Sequence, residues 1–179
     1  MKKIILFLLL LTSLYSDAKV YMGLGAGYFN ENFTNIDAKS STMMSAIKVG
    51  YGVQKAYAIE LSVDWVDNTS KVFSQNDGAK YSVNIEFVKA FDLHKYINPF
   101  FKAGFGAGRM EIDREFQDTL NFGSFNIGTG IFIPINEHLD IEVGYNYRFL
   151  TYEKVNLIVT DISYESHVNT IYSGINIRF

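Results

Sequence analysis

Eight segments of this 179-residue chain alternate residue by residue between an apolar set and a second set that holds nearly all of their charge. Alternation of that kind describes strands, because a helix gathers residues three and four apart on one face, not every second one. Segment 57–66 sets Ile59, Leu61, Val63 and Trp65 against Glu60, Ser62 and Asp64, and 79–91 sets Tyr81, Val83, Ile85 and Phe87 against Ser82, Asn84 and Glu86. The same period runs through 20–29, 43–53, 99–110, 121–133, 139–150 and 167–179, with Phe132 an apolar exception on the polar side of its segment. Twelve Tyr, fifteen Phe and only two Pro suit pleated ladders.

Polarity separates a membrane barrel from a soluble sheet. A soluble barrel buries its apolar face and shows charge to water, and alternation alone is compatible with that. Here the connectors alternate in length as well: 30–42, 67–78, 111–120 and 151–166 are long and polar, whereas 54–56, 92–98 and 134–138 are short. Short turns at one end and long loops at the other describe a barrel of the outer membrane. A Lys or Arg facing lipid at mid-depth costs about 2–4 kcal/mol, so the charged face must point inward. The expected architecture is all-β, an eight-stranded antiparallel up-and-down transmembrane barrel with both termini at the short-turn, periplasmic end. Tyr57, Phe91 and Phe179 would form one interfacial girdle, and Trp65, Tyr81, Phe122 and Phe149 the other.

The N-terminus adds a location. "MKKIILFLLLLTSLYSDA" has two lysines, an apolar run from Ile4 to Leu11 and a small-x-small site at Ser16 and Ala18. This is the pattern of a cleaved signal peptide, residues 1–18, and the run is too short to span a bilayer as a helix. Residues 19–179 are then one barrel domain. The chain has no cysteine, so it offers no disulfide framework, thiol metal site or lipid-modified N-terminus. Its formal charge of −3 gives no reason to expect nucleic acid as a partner.

The signal peptide, a first strand "VYMGLGAGYF" and a last strand "IYSGINIRF" ending on an aromatic residue resemble the OmpA-like and OmpX-like eight-stranded outer-membrane barrels of Gram-negative bacteria. The resemblance spans residues 19–179, with nothing after Phe179 to match the peptidoglycan-binding domain of OmpA. It implies that Tyr172, Ile175, Ile177 and Phe179 form the C-terminal signal read by the barrel-assembly machinery. It also implies surroundings of outer-membrane lipid and lipopolysaccharide.

An eight-stranded barrel has an interior just wide enough for side chains to fill. Lys48, Glu60, Asp64, Glu86, Lys102, Asp140, Glu142, Arg148 and Arg178 all fall on the inward set, and buried charges must pair. The expectation is an interior ion-pair network, with a narrow solute channel as the alternative. "GLGAGY" (23–28) and "GFGAGR" (104–109) space their glycines by two, unlike the G-x-G-x-x-G of a nucleotide-binding turn. They read as rows on opposite inner walls, leaving room for long charged side chains. A lipid A-modifying enzyme is the other alternative, but adjacent Ser166 and His167 on a strand point to opposite faces, and His94 and His138 fall in short turns. No catalytic, metal or cofactor site is expected. Recognition of a host or environmental ligand would fall to the long loops, which carry the apolar residues Phe33, Ile36, Val72, Phe73, Leu157, Ile158 and Val159.

Overall fold

In a computed structural model, the structure describes residues 18–34, 36–53, 55–68, 71–74, 77–93, 96–114, 117–156, 161–162 and 164–179. The predicted signal peptide, apart from Ala18, lies outside the described residues, as do His94 and the loop residues Leu157, Ile158 and Val159.

Eight long antiparallel strands close on themselves. They are β1 (Lys19–Phe33), β2 (Lys39–Val53), β3 (Tyr57–Val66), β4 (Lys80–Ala90), β5 (Asn98–Arg114), β6 (Gln117–Pro134), β7 (Leu139–Tyr152) and β10 (Glu165–Arg178). A two-residue hairpin, β8 (Val155–Asn156) with β9 (Asp161–Ile162), sits in the last loop. Around the barrel each strand pairs with its sequence neighbours, and β1 pairs with β10 from Tyr21↔Arg178 to Phe33↔Ser166. The Phe179 amide extends the seam by donating to the Val20 carbonyl at 3.0 Å.

Parity along each strand is the expected one. On β1, Val20, Met22, Leu24 and Tyr28 are exposed while Tyr21, Gly23, Gly27 and Phe29 are buried. The eight rises from Val20 to Tyr28, at about 3.3 Å each and a tilt near 40°, give roughly 20 Å of height, close to the apolar band of an outer-membrane barrel. Trp65 and Tyr81 stack at 6.4 Å on the outer surface of the loop end. Phe91 and Phe179 are exposed at the other end.

Three expectations are corrected. Phe122 does not join the outer girdle: it has the parity of Ser124 and Asn126, points inward and is buried. The strands are longer at the loop end than the apolar pattern suggests, so 30–42 and 111–120 are mostly strand, and β5 pairs with β6 as far as Arg114↔Gln117. Above the membrane both faces of a hairpin meet water or protein, and the apolar half of the alternation is lost while the ladder continues. The loop residues Phe33, Ile36, Val72 and Phe73 are not isolated: they pack with Met110, Leu120, Tyr152 and Tyr164 into one apolar cluster.

The core is therefore stacked in three layers along the barrel axis. That cluster caps the loop end, and Tyr21, Ala58, Val88, Ala90, Phe100 and Phe132 fill the short-turn end. Phe132, the exception in the sequence pattern, stacks on Phe100 at 4.4 Å there. Between the two lies a polar belt.

Candidate functional site

All nine charged residues of the belt lie inside the barrel and are engaged. Lys48, on β2, reaches Glu60 at 3.0 Å and also pairs with Glu142 on β7. Tyr21 donates to Glu60 at 2.5 Å, and Tyr172 and Asn176 donate to Glu142 at 2.8 and 3.1 Å. Lys102 pairs with Glu86 at 3.0 Å and stands 4.8 Å over the Tyr172 ring. Arg148 Nη2 meets Asp64 at 2.5 Å, where Asn84 also donates at 3.0 Å. Arg178 Nε meets Asp140 at 2.7 Å, with its guanidinium 4.5 Å over the Tyr21 ring. Because β3 and β7 stand four places apart in the ring of eight, the Asp64–Arg148 pair spans the full lumen. The arrangement is three pairs and one Glu60–Lys48–Glu142 triad, knitted by tyrosine and asparagine side chains.

A second buried cluster lies above it and went unrecognised in the sequence. Glu31, on β1, pairs with Lys80 on β4 and accepts hydrogen bonds from Tyr152 and Ser166, both at 2.6 Å. Lys80 also donates to the Tyr152 hydroxyl at 3.1 Å and stands 5.6–5.8 Å over the rings of Phe29, Phe33 and Tyr152. The signal was present: Glu31 has the parity of Tyr21 to Phe29, and Lys80 that of Ser82 to Glu86. Ending the first strand at 29 concealed the first of these.

The loop after β3 forms the roof. Asp77 accepts the backbone amides of Val72, Phe73 and Ser74 at 2.6, 3.1 and 2.7 Å, tying 72–74 to its carboxylate. That tie delivers Phe73 to Phe33, Tyr152 and Tyr164, with ring centroids 5.5, 5.2 and 4.9 Å away.

Apart from Gly123, the strand glycines face inward, and their neighbours are more specific than the sequence implied. In the register, Gly50 opposes Tyr21, Gly23 opposes Lys48, Gly128 opposes Lys102, Gly144 opposes Tyr172, and Gly108 opposes Phe122. A Cβ at Gly50 would stand 2.2 Å from the Tyr21 ring, and one at Gly23 would stand 2.8 Å from the Lys48 stem. Each of these glycines thus seats one large side chain that leans over it from the adjacent strand, the cross-strand pairing also seen where an aromatic covers a strand glycine. The atoms nearest to a Cβ at Gly25 or Gly104 belong to the backbone of the adjacent strand.

The remaining sequence candidates separate. His167 points outward, with Nδ1 2.5 Å from the Tyr147 hydroxyl and its ring against Phe149, while Ser166 points inward to Glu31. His138 lies in a turn closed by its amide on Asn136. Among the described residues no three His, Asp or Glu side chains gather as metal ligands. Of the C-terminal residues, Ile175, Ile177 and Phe179 are exposed on the outer face, whereas Tyr172 points inward to Glu142.

The family model for the outer membrane protein beta-barrel domain matches residues 4–179. Among solved structures, Neisserial surface protein A (NspA) gives a TM-score of 0.73 at 16% identity, covering 90% of this chain and 99% of that one. Ail, the attachment invasion locus protein of Yersinia pestis, gives 0.57 at 14% identity over 91% and 99%. Ail in complex with the heparin analogue sucrose octasulfate gives 0.59 at 14% identity, with the same coverage. The N-terminal barrel domain of Pseudomonas aeruginosa OprF gives 0.57 at 12% identity over 88% and 97%. At these identities the likeness is one of fold. No curated protein matches the sequence.

Proposed function

The chain belongs to the outer membrane protein beta-barrel family and resides in the bacterial outer membrane, and from that premise we propose that it works as a surface-presenting barrel, structural or adhesive, with a closed interior. The observation that carries the reading is the three-layer filling. Apolar clusters occupy both ends, and the belt between them is crossed by the Asp64–Arg148 pair and the Lys48 triad. A lumen filled in this way leaves interaction to the strands and loops that rise beyond the membrane.

One observation speaks for the rival reading, a narrow solute channel. Glu86 Oε1, Asn126 Oδ1, Asn146 Oδ1 and Arg148 Nε are buried in the belt and have no hydrogen-bond partner among the described residues. Such atoms are where a file of water would run. An enzyme acting on lipid A finds less support, since His167 and Ser166 diverge and Ser166 is fully buried.

The loop end is acidic. Asp37, Asp67, Glu111, Asp113, Asp118 and Glu153 are exposed there against Lys39, Lys71, Arg109 and Lys154. A ligand for this surface is therefore neutral or cationic, unlike the polysulfated sugar held by Ail. Assembly through the C-terminal strand, by way of Ile175, Ile177 and Phe179, is part of the same proposal, as are contacts with lipopolysaccharide. Bacteria expressing the intact protein or a form with all four loop-end connections shortened are to be compared for adherence to host cells. The reading expects adherence to fall with loop removal; adherence that survives it contradicts an adhesive role.

A further inference from the structure

Among the described residues, Lys89 is the one charged side chain on the outward face of the barrel strands between the loop-end rim and the short turns. It opposes Tyr57 on one side and Phe101 on the other, and its Nζ stands 5.8 Å from the ring centroids of both Tyr57 and Phe91. The rings hold the cation at the edge of the apolar band, where an amphipathic lysine can keep its head at the polar boundary.

Beside it runs a groove of about 480 Å³ across β4 to β7. Two successive cross-strand rows form it, Lys89–Phe101–Thr129–Tyr145 and Phe87–Ala103–Ile127–Tyr147. Ala103 and Thr129 make a low floor between larger neighbours. The Thr129 hydroxyl donates to the Phe100 carbonyl at 3.0 Å, which takes its polar atom out of play. Tyr145 and Tyr147 hydroxyls are likewise engaged by Asn169 and His167, so both rings are held in place. Three inter-strand steps of about 4.8 Å make the groove roughly 14 Å long.

We propose that this groove with Lys89 is a binding site for one phospholipid of the inner leaflet, its phosphate on the ammonium and one acyl chain along the groove. Depth selects the source: Lys89 lies at the short-turn end, which faces the periplasm in barrels of this class, so the outer-leaflet glycolipid is a membrane's half-thickness away. Charge selects the head group, because a fixed cation at the boundary attracts an anionic phosphate. A larger groove of about 830 Å³ across β10, β1, β2 and β3, lined by Met22, Leu24, Ile47 and Ile175, has no outward cation. It serves as an internal control.

The test is native mass spectrometry of the purified full-length barrel in detergent, with phosphatidylglycerol or with diacylglycerol of the same chains added. Lys89→Gln removes the charge, Ala103→Phe fills the groove, and Ala26→Phe fills the control groove. Heat-modifiable gel migration verifies that each variant is folded. Wild type and Ala26→Phe retain one phosphatidylglycerol per barrel, and Lys89→Gln lowers retention about fivefold, as expected for one lysine at a membrane surface. Ala103→Phe loses retention of both lipids. Retention unchanged by Lys89→Gln, equal loss in Ala26→Phe, or a dimer that covers position 103 and excludes lipid would each overturn the proposal.

Discussion

Replacing Lys48 by Met removes the one cation shared by Glu60 and Glu142, whose side chains are only 2% and 1% exposed. At 3.0 Å from Glu60, one such pair is worth about 5 kcal/mol at an effective dielectric of 20, before desolvation is subtracted. Losing one partner of a buried pair typically costs about 3–5 kcal/mol, because an uncompensated charge stays behind. Two stranded carboxylates place Lys48→Met at the upper end of that range. The triple variant Lys48→Met, Glu60→Gln, Glu142→Gln removes the stranded charges, and its loss should shrink to about 2 kcal/mol or less. Urea unfolding from lipid vesicles, followed by the emission of the single tryptophan, Trp65 on the lipid-facing surface, measures both. A single variant that loses less than about 1 kcal/mol would mean that water already screens the belt, and the dry, filled interior would be wrong.

Other outcomes follow from the same geometry. Gly50→Val would push the Tyr21 ring off Glu60 and destabilise by about 1–3 kcal/mol, whereas Gly123→Ala, with nothing within 4 Å of the added carbon, should leave the unfolding midpoint unchanged. Asp77→Ala frees three backbone amides and should make limited proteolysis within 71–78 about fivefold to thirtyfold faster, given about 1–2 kcal/mol for such a capping carboxylate; an unchanged cleavage rate would show that Phe73 alone holds the roof. Titration with sucrose octasulfate should show no saturable heat at millimolar concentration, and saturation there would refute the acidic-surface argument.

Much of this architecture was legible because a barrel in lipid exposes its logic in single residues. Isolated charges such as Glu60, Glu86 and Lys102 mark the inward face, and parity carries that assignment along the whole strand. The same parity runs through the belt residues, but it does not give their partners: nothing in the sequence says that Lys48 bridges β3 and β7 or that Asp64 reaches across to Arg148. Parity persists where the strands leave the membrane, but its sequence signature fades. Glu31 and Ser166 continue the inward rows of β1 and β10, but the outward rows there turn polar at Asn30, Asn32 and Asn169, and the alternation that marked the strand vanishes. Phe122 stands near a strand end as a girdle aromatic would, but it shares the inward parity of Asn126, and parity decides its direction. The roof was illegible because it depends on the amides of 72–74 held by Asp77, which carry Phe73 over the barrel mouth.

Whether the interior is closed is read by single-channel recording on the purified barrel in planar bilayers. A closed interior gives a quiet trace without sustained openings for the wild type. Discrete, reproducible conductance steps from the wild-type barrel would contradict it, and would turn the unpartnered atoms of the belt into the lining of a pore.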